Sequence, residues 1–412
     1  RAYAVVFYST DVRFGWALLA LSLLVPQVGL AGLLGVLLAA LTAWLLGIDR
    51  SMIRSGFLLF NPMLSCSALM LMASNSGWSH SGTVLVLAAA SVGSMMLTFG
   101  LQGWIGSRVG LSVQSLPSVI VTGLLHYAGL AAMGTGWSLP EPMWTQVDLR
   151  WMPEFLRAFF HAFSAMVFQS SDLVGVMIYV AFVLGSPLGG MMATIGYAVG
   201  AMTLHLLGLP TDVNGISWCG YNFLLTGVAL GAGYHVPNRA SLLLAVAASV
   251  VTALVAVALS VMLSRLALAP GALPYNLVVL TTMAALRLVP NPGSLLTSPW
   301  TTLQPEGVAR LVQINRLRFP DFHKPALFLP CAGETVITQG FDGTLTHQGP
   351  WRHALDFEVP GGSGSWDLGD GLLQSFRIFG APIHAPIDGT VVAVERLVPD
   401  NLPGHNNPES NW

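Results

Sequence analysis

The sequence has little charge: Asp, Glu, Lys and Arg together make up 9% of its 412 residues. Soluble domains carry about 25% charged residues. Hydrophobic residues reach 54% of the chain, too many for an ordinary fold surrounded by water. The net charge of -2 comes without a long basic run, which argues against nucleic acid as a partner. The composition therefore predicts a protein whose main surroundings are a lipid bilayer.

Cysteine is also scarce. Cys66, Cys219 and Cys331 form no spacing typical of a disulfide framework. Two of them lie in apolar segments, where a small buried thiol is the ordinary interpretation. The chain begins with Arg1 rather than Met, and its apolar pattern has started by Ala4. We therefore expect the N-terminus to be cut off, so no signal peptide can be assessed.

Long apolar runs recur along two halves of the chain. A complete membrane crossing needs about 20 apolar residues. The first half has a short segment and a full span within 14–48, and then runs at about 54–73, 83–107 and 116–134. A more polar stretch follows, and runs recur at about 173–187, 189–208, 216–234, 240–264 and 273–286. This pattern predicts an all-α polytopic membrane protein with ten transmembrane helices.

The second half repeats the first. Both halves contain an aromatic-Asn pair followed by a leucine, namely Phe60, Asn61 and Leu64 in the first half and Tyr221, Asn222 and Leu225 in the second. The constant offset that separates Asn61 from Asn222 also pairs Phe7 with Phe168 without a gap. Five crossings is an odd number, so the second half is expected to enter the membrane upside down. Inverted repeats of this kind place the transport site between the halves at the bilayer midplane.

Each half opens on a short element, AVVFYSTD in the first and AMVFQSSD in the second. The apolar runs behind them are short for straight spans. Irregular backbone at membrane depth is tolerated where protein or a watery cavity covers it. These elements are therefore candidates for two re-entrant pore helices. The alternative, that they are starts of helices at the membrane interface, stays open.

The segments DRSMIRSGFLLFN and WCGYNFLLTGVALG resemble the urea transporter family, over about residues 3–290. The resemblance implies two inverted repeats of five helices, two re-entrant pore helices and a homotrimer in which each protomer has its own pore. It also implies that planar urea passes through two slots of aromatic and leucine side chains. Carried over to this chain, the slots are Phe7, Phe60 and Leu64, and Phe168, Tyr221 and Leu225. Flat apolar walls suit a flat solute and exclude hydrated ions.

The chain departs from the family pattern on the polar side of the pore. Ala4 and Ala165 stand where the family usually has Gln or Glu. Ser115 keeps a hydroxyl at a position that is usually Thr, whereas Ala272 does not. Backbone carbonyls and the pair Asn61 and Asn222 are candidate acceptors for urea. An equally good interpretation of the two asparagines is that they tie helices together.

The character of the sequence changes after Arg287, with a proline-rich linker and then β-type alternation. The stretches THQGPWRHALDFEVP and FGAPIHAPIDGTVVAV resemble lysostaphin-like zinc endopeptidases of bacterial cell walls. The resemblance implies Zn²⁺ ligands from a His and an Asp, for which we favour His347 with Asp356. His353 is the alternative, but its separation of three residues from Asp356 makes the two face opposite sides of a strand. No His-x-His follows in the chain, so the zinc site is incomplete and no catalytic residue is assigned.

These patterns predict five regions: a first transmembrane repeat (1–134), an inter-repeat loop (135–163), a second transmembrane repeat (164–290), a linker (291–318) and a partial all-β soluble domain (319–412). One functional prediction is a passive channel for urea, or a similarly small neutral amide, that needs no cofactor. The alternative is a membrane-anchored zinc endopeptidase that acts on peptidoglycan. The expected location is a bacterial inner membrane, with the C-terminal domain on the periplasmic side. Arginines are too few for the loops to determine the orientation.

Overall fold

The computed structural model describes residues 1–76, 80–106, 111–130, 149, 151–212, 219–266, 268–289, 295–298, 304–318, 328–343, 346–347, 349–360, 372–392 and 394. The chain divides into two compact units, Arg1–Arg318 and Phe319–Trp412. The first unit contains all of the apolar helices described below. The second unit contains a small strand region. Each unit is described by itself.

The first half of unit 1 consists of helices α1 (Ala2–Val5), α2 (Val12–Ser22), α3 (Pro26–Leu45), α4 (Arg50–Ser55), α5 (Phe60–Ser76), α6 (His80–Leu101) and α7 (Leu116–Leu130). The second half consists of α8 (Glu154–Ala165), α9 (Asp172–Gly185), α10 (Pro187–Leu206), α11 (Gly220–Val228), α12 (Arg239–Ser264) and α13 (Leu273–Arg287). Helices α6 and α11 both continue as a π-helical turn, Gln102–Gly106 and Ala229–Gly233. A further helix, α14 (Pro305–Arg318), follows the second half.

Three described helices are long and apolar enough to cross a membrane, namely Pro26–Leu45, Ser81–Gly106 and Arg239–Ser264. Four shorter apolar helices accompany them in the described part of the chain. Leucines such as Leu37 on α3 and Leu243 on α12 are more than half exposed. In water such surfaces would be unfavourable, whereas lipid tails solvate them. The composition, the helices and these surfaces agree with the predicted multi-pass membrane protein.

Small residues allow the helices to approach closely, as is common inside membranes. A Cβ on Gly35 would lie 2.8 Å from the Pro62 carbonyl oxygen, and one on Gly196 would lie 2.5 Å from the Phe223 carbonyl oxygen. These two glycines occupy the same place in the two halves, on α3 and α10. Equivalent helices of the two halves therefore pack through the same kind of contact.

Residues with matching backbone angles show which positions of the two halves are equivalent. They also show that the number of residues between equivalent positions is not constant, contrary to the prediction from the sequence. Gly47 and Gly208, at φ angles of 73° and 72°, keep the predicted offset. The turns that follow α1 and α8 instead pair Tyr8 with Phe168, at φ angles of 57° and 59°, so the offset between the halves is shorter by one residue there. The physical reason is one additional residue in the second half between the start of α9 and the proline that begins α10. The prediction of a match without a gap is therefore wrong.

Unit 2 contains two antiparallel strands, β1 (Val336–Gln339) and β2 (Asp356–Glu358). Ile337 pairs with Phe357, and an irregularity in the register then brings Gln339 opposite Asp356. An isolated bridge joins Cys331 to Ile383. This strand region lies within the residues predicted to form a β domain.

Candidate permeation site

Unit 1 contains a cavity of about 1380 Å³ whose walls come from both halves of the chain. Eight of the twelve residues predicted to line a pore lie on its wall: Phe60, Leu64, Ser115, Ala165, Phe168, Tyr221, Leu225 and Ala272. Each aromatic-Asn motif therefore contributes its aromatic ring and its leucine to the same cavity. Helices α1 and α8, which contain or border the two candidate pore elements, also contribute to the wall through Val5 and Ala165.

The ends of the two pore helices explain how their side chains reach the cavity. Tyr8 and Phe168 adopt positive φ angles, which reverse the chain directly after each helix. The next helix begins at once, because the Asp11 carboxylate accepts from the Arg13 amide at 2.8 Å and the Ser171 hydroxyl caps α9 in the same way. The aromatic ring at each turn is thereby held at the wall of the cavity.

Phe7 is not part of that wall, contrary to the prediction. Its side chain is 1% exposed and lies with its ring centroid 6.1 Å from that of Phe163 and 5.2 Å from that of Phe182. Tyr8 lines the cavity in its place. The reason is the shorter offset at this turn, which makes Tyr8 and not Phe7 the equivalent of Phe168. The glycines of α2 and α9, Gly15 and Gly175, share this shorter offset and were the available signal in the sequence.

The prediction that Ala4 lines the pore is wrong for the same reason, an alignment of the two halves that is shifted by one residue. Ala4 is fully buried and packs below the cavity wall, near Gly15. Val5 lines the cavity and corresponds to Ala165 in the second half. The position predicted to be the missing Gln or Glu is therefore occupied by Val5 on this side. Both equivalent positions remain apolar.

A group of polar side chains that sequence reasoning missed lines the cavity around Tyr8. The Tyr8 hydroxyl donates to Gln114 Oε1 at 3.2 Å and is also hydrogen-bonded to the Tyr275 hydroxyl. The Tyr234 ring meets the Tyr8 ring edge-on, with centroids 5.4 Å apart. We call Tyr8, Gln114, Tyr234 and Tyr275 the tyrosine cluster. It brings hydroxyl and amide groups to a cavity that is otherwise largely apolar.

The cluster combines residues from both halves, but its polar groups are not repeated at the equivalent positions. Phe168 is the equivalent of Tyr8, and it lacks a hydroxyl. Gly271, at a φ of 54°, is the equivalent of Gln114, at 52°. Ser118 is the equivalent of Tyr275, because each donates its amide to the asparagine of its own half. The backbone of the two halves is thus similar at these positions, whereas the side chains that it carries differ in polarity.

Asn61 and Asn222 are fully buried, and neither contributes to the described lining of the cavity. Asn61 Nδ2 donates to the Gln114 carbonyl at 2.9 Å, and its Oδ1 accepts from the Ser118 amide at 3.3 Å. Asn222 makes the same two bonds, to the Gly271 carbonyl and from the Tyr275 amide. Of the two interpretations left open, the structure supports ties that hold the backbone before α7 and α13.

Ser115 lines the cavity and joins the two halves. Its hydroxyl oxygen accepts from Asn276 Nδ2 at 2.9 Å. Its equivalent, Ala272, also lines the cavity but has no hydroxyl. Ser115 therefore supplies an oxygen to the wall on the side of the tyrosine cluster.

In unit 2 the structure brings His347 and Asp356 together, with Nε2 and Oδ1 3.0 Å apart. The other ring nitrogen of His347 lies 2.8 Å from the Gly340 carbonyl oxygen, an arrangement common among metal-binding histidines. His353 points elsewhere, since its Nε2 accepts from Arg352 Nε and its ring meets Phe341. No group of three or more His, Cys, Asp or Glu gathers within the described residues. The described residues of unit 2 thus bring together two of the three protein ligands that catalytic zinc requires.

The long apolar helices and the cavity of aromatic and leucine side chains define a helical membrane protein with a candidate solute pathway. The family model for urea transporters matches residues 1–287, more than half of the chain. The chain therefore belongs to the urea transporter family, which confirms the predicted resemblance of its membrane part. The same match supports passive urea transport as the function of the membrane part.

Proposed function

We propose that unit 1 is a passive channel that carries urea through the cavity between its two halves. The single observation that carries this proposal is the convergence of two aromatic-Asn motifs, one from each half of the chain, on one cavity. The first half contributes Tyr8, Phe60 and Leu64 to the wall. Their equivalents in the second half are, in the same order, Phe168, Tyr221 and Leu225. The family match supports the same conclusion.

The apolar walls select the solute by shape and by the cost of removing water. Urea is flat and neutral, so it fits between aromatic and leucine side chains at a moderate cost. A hydrated ion would lose its water without replacement, which is far more costly. The aromatic and leucine walls therefore exclude ions by the cost of removing their water.

The tyrosine cluster supplies hydrogen bonds that replace those that urea makes with water outside the cavity. Urea has one carbonyl oxygen and four N–H groups. The hydroxyl oxygens of Tyr8 and Tyr275 accept from its N–H groups, and the Gln114 amide donates to its carbonyl oxygen. The Ser115 hydroxyl adds a further acceptor on the same side. In this chain the cluster replaces the polar groups that are absent at Val5, Ala165 and Ala272.

The membrane arrangement that we propose has ten crossings in two inverted repeats of five, with α1 and α8 as re-entrant pore helices. Support comes from α2, α3, α5, α6 and α7 in the first half and from α9–α13 in the second, because five crossings, an odd number, reverse the direction of the second half. We further propose a homotrimer in a bacterial inner membrane, with unit 2 on the periplasmic side. These points rest on the family resemblance.

Urea efflux from proteoliposomes, followed by stopped-flow light scattering, tests the channel. Leu225→Trp places a larger ring in the cavity, and we expect it to reduce efflux to the rate of empty vesicles. Leu243→Trp on α12 is the matched control, because Leu243 is 68% exposed and lies away from the cavity. The proposal fails if neither the wild-type chain nor any of its variants passes urea faster than empty vesicles, or if both tryptophan variants behave alike.

The alternative function is a membrane-anchored zinc endopeptidase acting on peptidoglycan. The contact between His347 and Asp356 is the observation in its favour. Against it, a simple anchor would not require a cavity built from two repeated motifs, and the described residues supply two zinc ligands rather than three. Digestion of murein by the purified chain, with zinc and with chelator, tests this alternative. Zinc-dependent cleavage lost in His347→Ala would support it.

A further inference from the structure

The residues that follow the family match return to the cavity. The family model ends at residue 287, whereas the structure describes residues 295–298 and helix α14 as part of unit 1. Ser298, Pro305 and Val308 from these residues lie on the cavity wall. We call 295–298 and 304–318 together the linker cover.

The first part of the linker cover pairs with the loop between α11 and α12. The Val236 amide donates to the Leu296 carbonyl at 2.9 Å, and the Ser298 amide donates to the Tyr234 carbonyl at 2.8 Å. An antiparallel bridge joins His235 to Thr297. This pairing holds the cover beside Tyr234, a member of the tyrosine cluster.

The second part is held by a carboxylate at the start of α10. Glu306 accepts from the Leu188 amide at 2.7 Å and from the Ser186 hydroxyl at 3.1 Å. The N-terminus of a helix favours negative charge, because its first amides have no partners within the helix. Val308, on the same first turn of α14, is 2% exposed and Pro305 is also buried. The helix is therefore fastened by a charge-assisted contact and by apolar packing.

The turn that follows the first pore helix receives a contact from the cover. Gln304 Nε2 donates to the Ser9 hydroxyl at 2.8 Å. In the second half, the equivalent of Ser9 is Gln169, whose own Nε2 donates to the Leu21 carbonyl at 2.7 Å. Ser9 is too short to make such a bond. Gln304 thus brings a side-chain amide to this turn, whereas the equivalent turn of the second half carries the amide of its own Gln169.

We propose that the linker cover is an intrachain lid over the end of the cavity beside Ser9, and that it lowers the rate of permeation while it is docked. Three independent contacts carry the proposal: the strand pairing at Tyr234, the Glu306 carboxylate at α10, and Gln304 at Ser9. The lid rests on the proposed channel function. Release of Glu306 and Gln304 shifts the lid toward its undocked state and opens this end.

Urea efflux from proteoliposomes tests the effect on permeation. We expect the double variant Gln304→Ala with Glu306→Gln to raise urea efflux about tenfold, because each loss weakens a docked state held by few polar contacts. The control is the double variant Gln313→Ala with Asn315→Ala, which changes exposed side chains on the same helix. Equal efflux from the wild type and the first variant, with a conducting wild type, overturns the lid.

A second measurement separates the lid from the channel, because it does not depend on urea. Thr10→Cys, on the cavity wall, is introduced together with Cys331→Ser, and the remaining Cys66 and Cys219 are buried. We expect a membrane-impermeant maleimide to label Cys at position 10 several times faster when Gln304 and Glu306 are also replaced. Faster labelling with no urea efflux from any variant supports the lid and refutes the channel. Unchanged labelling refutes the lid.

Discussion

The side-chain amide of Asn276 in the second half donates to the hydroxyl of Ser115 in the first, with Nδ2 and Oγ 2.9 Å apart. Both side chains are buried, and Ser115 lines the cavity while Asn276 packs behind it. This bond connects α13 to the turn that precedes α7. The two halves are thus joined by a polar contact at the wall of the proposed pathway.

Ser115→Ala removes the acceptor of this contact and one oxygen from the cavity. We expect a loss of about 1–3 kcal/mol in the free energy of unfolding, because a buried amide group loses a partner. Urea efflux should also fall. Ser115→Thr retains the hydroxyl and is the matched control. Thermal unfolding of the detergent-solubilised protein measures the first effect, and an unchanged midpoint in Ser115→Ala would show that the bond contributes nothing.

Asn61→Leu removes a tie at the start of α7. The Gln114 carbonyl and the Ser118 amide would each lose a buried partner. We expect a larger loss of stability than for Ser115→Ala, because two backbone groups are affected rather than one. Asn222→Leu should have a similar effect at α13, since Asn222 makes the equivalent bonds. A normal unfolding midpoint for both variants would contradict the role of ties.

Tyr8→Phe and Tyr275→Phe remove hydroxyl groups from the tyrosine cluster and leave its rings in place. We expect slower urea efflux from each variant, because urea loses hydrogen bonds at the point where it has given up water. Tyr179→Phe is the control, since the Tyr179 hydroxyl bonds to Thr194 away from the cavity. If all three variants lower the efflux equally, the hydroxyl groups of the cluster have no special part in permeation.

Phe7→Leu tests the corrected register of the first pore helix. Phe7 packs among Phe14, Phe163 and Phe182, so the smaller side chain should lower the unfolding midpoint. Efflux per folded protein should change little, because Phe7 does not reach the cavity. Stopped-flow rates corrected for the amount of folded protein make the comparison. If Phe7→Leu reduced urea efflux without lowering the unfolding midpoint, Phe7 would have to line the pore, and the corrected register would be wrong.

Much of the membrane part follows from the sequence because its signals are local or periodic. Apolar runs with few charges indicate lipid-facing helices whatever their neighbours. The repeated aromatic-Asn motifs identify Phe60, Leu64, Tyr221 and Leu225, which do line one cavity. The favoured pair His347 and Asp356 also lies together.

The error at Phe7 shows the limit of alignment. A single additional residue between the starts of α9 and α10 changes the offset, and apolar residues on both sides match at either register. Side chains one position apart on a helix point about 100° apart. An alignment that is wrong by one residue therefore assigns a buried core residue to the cavity wall. The positive φ angles of Tyr8 and Phe168 settle the register.

The sequence by itself determined that the chain is a duplicated membrane protein of the urea transporter type. Only the tertiary structure decided what polar groups the cavity has. Tyr8, Gln114, Tyr234 and Tyr275 come from four separate elements, and nothing in their spacing along the chain indicates that they meet. The same holds for Glu306, whose carboxylate accepts a hydrogen bond from the Leu188 amide at the start of α10, 118 residues away in the sequence. The physical reason is that hydrogen bonds depend on distances in space, which packing of the two halves sets.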